Sequence, residues 1–257
     1  MSSETPCQAL KAVGAEKGVR NLFLRAIMGR PLRATSGGVI YHVLNRANAS
    51  RPIFESPGDF EAFERVLSEG CAKIAMRVLA YCVMPNHWHL VLWPFGDGDL
   101  TRFMAWTTLT HTQRWHAHRQ SAGIGHLYQG RFKSFPVQND EHFLVVCRYV
   151  ERNALRANLV DRAEDWQWSS LWHRNRGIGA LPLWLAPWPV EPPRDWPTWV
   201  NQPQTASELE SLRDSVQRGA PFGSSCWVRD TAEKFKLNTT LRPRGRPPTR
   251  LESRKGS

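Results

Sequence analysis

Two histidines flanking a tryptophan, His87-Trp88-His89, carry the sharpest chemical signal in this 257-residue chain. On a β-strand, residues two apart point to the same face, so both imidazoles can reach one metal ion. The apolar run Leu90-Val91-Leu92 that follows supports a strand. The alternative is a pair of polar residues on a solvated sheet face. A second pair, His116 and His118, falls in a predicted helix, where positions two apart diverge by about 200° and chelate poorly. Farther along, Tyr149, Asn153 and Arg156 stand at i, i+4 and i+7 and share a face of another predicted helix. A phenol can attack phosphorus, a carboxamide oxygen can ligate a hard cation, and a guanidinium can hold phosphate oxygens. The same row also fits an ordinary amphipathic surface, and periodicity alone does not bring this helix to the histidines.

The elements that must position these groups are legible from patterning. The β-formers over 39–46 predict a strand, and Pro57-Gly58-Asp59 opens a helix with Phe60, Phe63, Val66 and Leu67 at helical spacing, running to about Met76. Apolar runs at 77–84 and 87–93, separated by Pro85-Asn86, predict an antiparallel hairpin. A helix from Asp99 to about His118 ends before Gly123-Ile124-Gly125, and a short strand is expected at 131–138. Asn139-Asp140-Glu141 heads a third helix over roughly 140–157, whose stripe Phe143, Val146, Cys147 and Val150 should face the sheet. Strands and helices in this order give an α+β fold with a central antiparallel sheet.

Residues 1–27 read as a polar extension, with Met28 as a possible alternative start. Seven of the 12 tryptophans lie between Trp166 and Trp199, and six of the 18 prolines between 181 and 200. This Trp/Pro-rich composition predicts an ordered strap without regular helix, centred on 181–204. Residues 206–218 and 224–237 predict two short helices within a 205–241 segment that suits a helix-turn-helix or a small cap. The tail 242–257 carries six Lys/Arg against one Glu, and its Arg244-Gly245-Arg246-Pro247 resembles the core of an AT-hook.

Composition narrows the partners. Thirty-four Lys+Arg against 23 Asp+Glu give a formal charge of +11, which points to a polyanion such as nucleic acid. No apolar run is long enough to span a bilayer, and 1–27 lacks the apolar segment of a signal peptide. The five cysteines are scattered and form no CxxC pair, which argues against a disulfide framework or a Cys-type zinc site and fits a reducing cytoplasm. There is no GxxxxGK[ST] phosphate loop.

The segments MPNHWHLVLWP (84–94) and CRYVERNALRANLV (147–160) resemble the HUH single-tyrosine transposases of the IS200 type, and most closely the REP-associated tyrosine transposases. GRPLR (29–33), YHVLNR (41–46), YQGRFKS (128–134) and WQWSS (166–170) extend the resemblance over roughly 28–176, within an expected catalytic domain of 28–180. The resemblance implies a ferredoxin-like core with metal ligands at His87 and His89, a nucleophile at Tyr149 and a third ligand at Asn153, where relatives often carry Gln. Ala154 stands where many relatives have Pro. It further implies Mg²⁺ or Mn²⁺ as cofactor and a 5′-phosphotyrosine intermediate. The substrate it implies is single-stranded DNA beside palindromic hairpin repeats, with expected contacts from Arg131, Lys133, Arg152 and Arg156 and, to flanking duplex, from the AT-hook-like Arg244 and Arg246. The expected location is the cytoplasm, at the nucleoid, as a monomer or homodimer. The rivals are a hairpin-binding regulator that has lost catalysis, and a zinc hydrolase built on the histidine pair.

Overall fold

The computed structural model describes residues 34–177 and 181–242, so the expectations placed on 1–27 and on Arg244 and Arg246 lie outside the described residues. Four strands, β1 (Ile40–Arg46), β2 (Met76–Met84), β3 (His87–Pro94) and β4 (Lys133–Val137), form one antiparallel sheet in the order β2-β3-β1-β4. Helix α1 (Pro57–Lys73) connects β1 to β2, and α2 (Asp99–His118) connects β3 to β4. This β-α-β-β-α-β order is the ferredoxin-like arrangement. Ser56 and Asp59 form a capping box that starts α1, with Pro57 in the first turn where its missing N–H costs nothing.

Alternation along the strands builds two cores. Tyr41, Val43, Trp88, Leu90 and Leu92 point to one face and pack with Phe60, Phe63, Leu67, Leu100 and Phe103 of α1 and α2. Ile40, Cys82, Val91, Phe135 and Val137 point to the other, beneath α3 (Glu141–Glu151) and its buried stripe of Phe143, Val146, Cys147 and Val150. A bulge between Val78 and Ala80 turns both Leu79 and Ala80 toward this second face and re-phases β2. The helix expected over 140–157 is interrupted at Arg152, and α4 (Asn153–Arg156) continues it.

The Trp/Pro-rich segment departs from expectation in one respect. It contains two short helices, α5 (Ser170–Asn175) and α6 (Trp196–Asn201). Pro197 sits in the first turn of α6, the one helical position that tolerates it, and the Asp195 side chain caps that turn. Elsewhere the segment wraps the sheet. Ala186 N–H donates to the Val78 carbonyl at 2.8 Å, Tyr81 N–H to Ser170 Oγ at 2.9 Å, and Val83 N–H to the Trp168 carbonyl at 2.9 Å. At the opposite edge, Phe222 exchanges bonds with Pro136 and Gln138, both at 2.9 Å. Phe222 follows α7 (Ala206–Arg218) and precedes α8 (Ser225–Lys234). Both outer strands therefore have partners, which removes the exposed edges that invite sheet-to-sheet pairing.

Candidate active site

The antiparallel register decides which side chains share a face. His87 lies opposite Arg46 and His89 opposite Leu44, while Leu44 lies opposite Lys133 of β4. His87, His89, Arg46 and Lys133 consequently line the sheet face beneath α3. Trp88, between the histidines, points the other way and donates its Nε1–H to the Tyr128 hydroxyl at 3.0 Å. That hydroxyl is 2.6 Å from His111 Nδ1. Indole N–H can only donate, so Tyr128 accepts from Trp88, and its own proton is satisfied in the His111 tautomer that leaves Nδ1 free to accept it. This buried chain anchors β3 from behind.

Tyr149 occupies the last turns of α3, directly over the histidines. Its ring stands edge-on to His89 at 5.7 Å between centroids and to His42 at 6.0 Å. The ring is buried, yet its hydroxyl makes no hydrogen bond to protein among the described residues. The Arg156 guanidinium lies 4.4 Å over the same ring. Of the predicted row of three, Tyr149 and Arg156 thus face the histidine pocket together.

His42 is a third imidazole that no linear motif announced. It comes from the middle of β1, is fully buried, and places Nε2 at 2.9 Å from His89 Nδ1 with the rings stacked. The alternation of Ile40, His42 and Leu44 is visible in the sequence, but the β1–β3 register that brings His42 beside His89 is non-local. Burial pushes His42 down to about 3, and burial with help from Arg46 and Arg156 pushes His87 down to about 4. Burial also carries His89 well below the ordinary range, reinforced by His42, His87 and Arg156. All three are therefore neutral at pH 7, the state in which imidazole ligates a cation.

Asn153 is buried at the break between α3 and α4. Its Nδ2 donates to the carbonyls of Tyr149 and Val150 at 2.9 and 3.2 Å and splints the interrupted helix. Its Oδ1, the atom a cation would use, accepts from Arg156 Nη2. Arg131 and Lys133 are exposed, as are Arg46 and Arg156, and none of the four has an acidic partner among the described residues. Arg131 lies on the lip of a cleft of about 770 Å³ between α2 and the 123–132 segment, which Thr108, Thr112 and Gln129 also line. Arg152 differs from expectation. Its Nη1 donates to the carbonyls of Val200 and Asn201, and Arg148 donates to those of Gln202 and Pro203 at 2.7 and 3.0 Å. The two arginines cap the C-terminal end of α6, where carbonyls lack helical partners.

Among the described residues, three metal-ligating side chains of the His, Cys, Asp and Glu types converge at Asp140, Glu141 and His142. Helix capping accounts for this group, since Asp140 accepts from the His142 backbone at 2.9 Å and from its ring at 2.8 Å. It lies roughly 10 Å along α3 from Tyr149, at 1.5 Å per residue.

Fold and site together define a class: a ferredoxin-like domain that presents neutral imidazoles and a helix-borne phenol beneath a rim of cations that lack acidic partners among the described residues. The family described as Transposase IS200 like matches residues 35–153, the stretch from just before β1 to Asn153. That match supports a transposase-type function on DNA. A solved structure described as a REP-associated tyrosine transposase bound to a REP hairpin is similar at 19% identity, with a TM-score of 0.48, over 62% of this chain and 92% of that one. No curated protein matches in sequence. No helix among the described residues is long and apolar enough to cross a membrane.

Proposed function

We propose that this chain is a metal-dependent endonuclease and strand transferase that cuts and rejoins single-stranded DNA next to REP-type palindromic hairpins. The observation that carries the reading is the Tyr149 ring held 5.7 Å from His89 within one chain. The hairpin substrate follows from the resemblance of the 84–94 and 147–160 segments to the REP-associated enzymes. The donor set suits Mg²⁺ or Mn²⁺: His87 and His89 are neutral, and the Asn153 carboxamide offers a hard oxygen once Arg156 releases it. When bound, such an ion supplies polarisation of a non-bridging phosphate oxygen.

The remaining chemistry belongs to the side chains. The Tyr149 phenol oxygen bonds to phosphorus and loses its proton to solvent, while the bond from phosphorus to the 3′ oxygen breaks. The products are a 5′-phosphotyrosine and a 3′-hydroxyl, the departing oxygen taking a proton from water. Attack by a 3′-hydroxyl reverses the step and rejoins the strands, so no nucleoside triphosphate is consumed. Arg46, Arg131, Lys133 and Arg156 neutralise phosphates along the strand, with Arg244 and Arg246 reaching flanking duplex. A pocket formed between a helix and a sheet admits a single strand at the cut. The in-chain site and the covered sheet edges suit a monomer.

The test is an oligonucleotide carrying a palindromic repeat from the source genome, incubated with wild type or Tyr149→Phe, with Mg²⁺, Mn²⁺ or EDTA, and run on a denaturing gel. A denaturation-resistant protein–DNA band that needs metal and is lost in Tyr149→Phe is expected. Binding to several repeats with no covalent band under either metal replaces this reading with the non-catalytic hairpin binder.

A further inference from the structure

We infer that Asn86 and His42 are positioning residues that hold His87 and His89 by their Nδ1 atoms, so that both histidines present Nε2 to the cation. The inference rests on the proposed reading of His87 and His89 as ligands. Asn86 sits in the turn between β2 and β3, and its Nδ2 donates to the Ser50 carbonyl at 3.1 Å. A carbonyl can only accept, so this bond fixes the carboxamide's orientation and turns Oδ1 toward the ring. Oδ1 lies 2.6 Å from His87 Nδ1. An amide oxygen likewise only accepts, so the His87 proton must reside on Nδ1 and the lone pair on Nε2. That is the tautomer a ligand at Nε2 needs, set by a partner that does not touch the ion.

His42 stands in the corresponding place for His89. Its Nε2 is 2.9 Å from His89 Nδ1, and its own Nδ1 is buried without a hydrogen-bond partner. Two neutral imidazoles can share this bond in either direction. The direction compatible with a ligand at His89 Nε2 has His89 Nδ1–H donating and His42 Nε2 accepting. A fully buried histidine with one nitrogen unsatisfied is a costly occupant of a strand position that otherwise alternates with Ile40 and Leu44, and orienting the ligand accounts for its presence. Asparagine is also a common turn residue, so a purely structural role for Asn86 is the competing explanation.

Long-range ¹H–¹⁵N spectra of the metal-free, ¹⁵N-labelled full chain separate the two. The expected result is Nδ1–H tautomers for both His87 and His89 in wild type. Asn86→Ala is expected to shift His87 toward Nε2–H and weaken Mn²⁺ binding, read by electron paramagnetic resonance titration, by about 10–100-fold. Asn86→Asp keeps an acceptor and should restore the Nδ1–H form, and His42→Phe should release His89 in the same way. Wild-type His87 found as Nε2–H, or a tautomer unchanged in Asn86→Ala, overturns the inference even if the alanine variant folds poorly, because the first reading needs no variant. Wild type with both expected tautomers but no Mn²⁺ binding overturns the ligand reading beneath it instead.

Discussion

Tyr149 and His89 meet edge to face at 5.7 Å inside a single chain, one from a helix and the other from the strand beneath it. A nucleophile and ligands drawn from one molecule need no second subunit. We therefore expect mixtures of Tyr149→Phe with His89→Ala to stay inactive in covalent-adduct formation, since neither chain holds a complete site. Adduct yield per enzyme should also be independent of protein concentration. Recovery of activity on mixing, measured on a denaturing gel, would establish catalysis between subunits and refute the monomeric reading.

Arginines that look alike in sequence have different work in the fold. Arg148 and Arg152 bond to main-chain carbonyls of residues 200–203, and Arg148 also lies 4.5 Å over the Trp199 ring. Loss of charged donors from partly buried carbonyls costs about 1.5–3 kcal/mol. Arg148→Ala and Arg152→Ala are expected to lower the unfolding free energy by that much each, seen in denaturant titration. Arg131→Ala and Lys133→Ala should change it by less than about 0.5 kcal/mol. Those two should instead weaken single-stranded DNA binding and flatten its dependence on log salt by about 0.7 per residue. An Arg152→Ala variant with unchanged stability and a flattened salt slope would return Arg152 to the DNA interface.

Much of this architecture is legible in the chain because it is locally encoded. The hairpin predicted at 77–84 and 87–93 forms at Met76–Met84 and His87–Pro94, and the helix predicted from Asp99 to about His118 has those bounds. The parity argument that put His87 and His89 on one face holds because β3 is a regular strand without a bulge, with Trp88 turned to the opposite core. What stayed hidden depends on pairings between distant residues. His42 and Arg46 reach the site only through the β1–β3 register, and Asn86 reaches His87 only because Ser50 fixes its amide. The placement of Arg152 could not be read from helical spacing, since its partners lie some fifty residues later in a segment whose path the sequence does not specify. The short helix α6 was hidden by Pro197, which sits just where a helix start accepts a proline.

The buried histidines set an acid limit on stability. His87 is held down to about 4, and His42 and His111 to about 3, in each case chiefly by burial. Their folded-state values lie below the unfolded value near 6.5, so below that pH the unfolded chain binds protons that the native state refuses. Stability is thus complete above about pH 6.5 and is lost as pH falls toward the folded values. At pH 5 each such histidine withdraws about 2 kcal/mol, and three together roughly 6 kcal/mol, a large part of a typical domain's stability. We expect the melting temperature to be level above about pH 7 and to fall steeply between pH 6.5 and 5. His111→Phe should make that fall shallower, and a melting temperature flat down to pH 5 would contradict the burial described for these rings.

Two tyrosine-to-phenylalanine changes should separate architecture from chemistry. Tyr128 and Tyr149 are both buried, but only the Tyr128 hydroxyl is used by the fold, bridging Trp88 Nε1 and His111 Nδ1. Tyr128→Phe leaves two buried ring nitrogens, Trp88 Nε1 and His111 Nδ1, without their partner, each costing about 1–3 kcal/mol, so a total loss of about 2–6 kcal/mol is expected. Tyr149→Phe removes a hydroxyl with no protein partner and keeps the ring against His89 and beneath Arg156. Its unfolding free energy should match wild type within about 0.5 kcal/mol, while covalent capture of DNA disappears. Calorimetry and the denaturing gel, run on the same two preparations, decide the matter. A Tyr149→Phe protein as destabilised as Tyr128→Phe would make that phenol a structural group, and a Tyr149→Phe protein that still forms the adduct would remove it as the nucleophile.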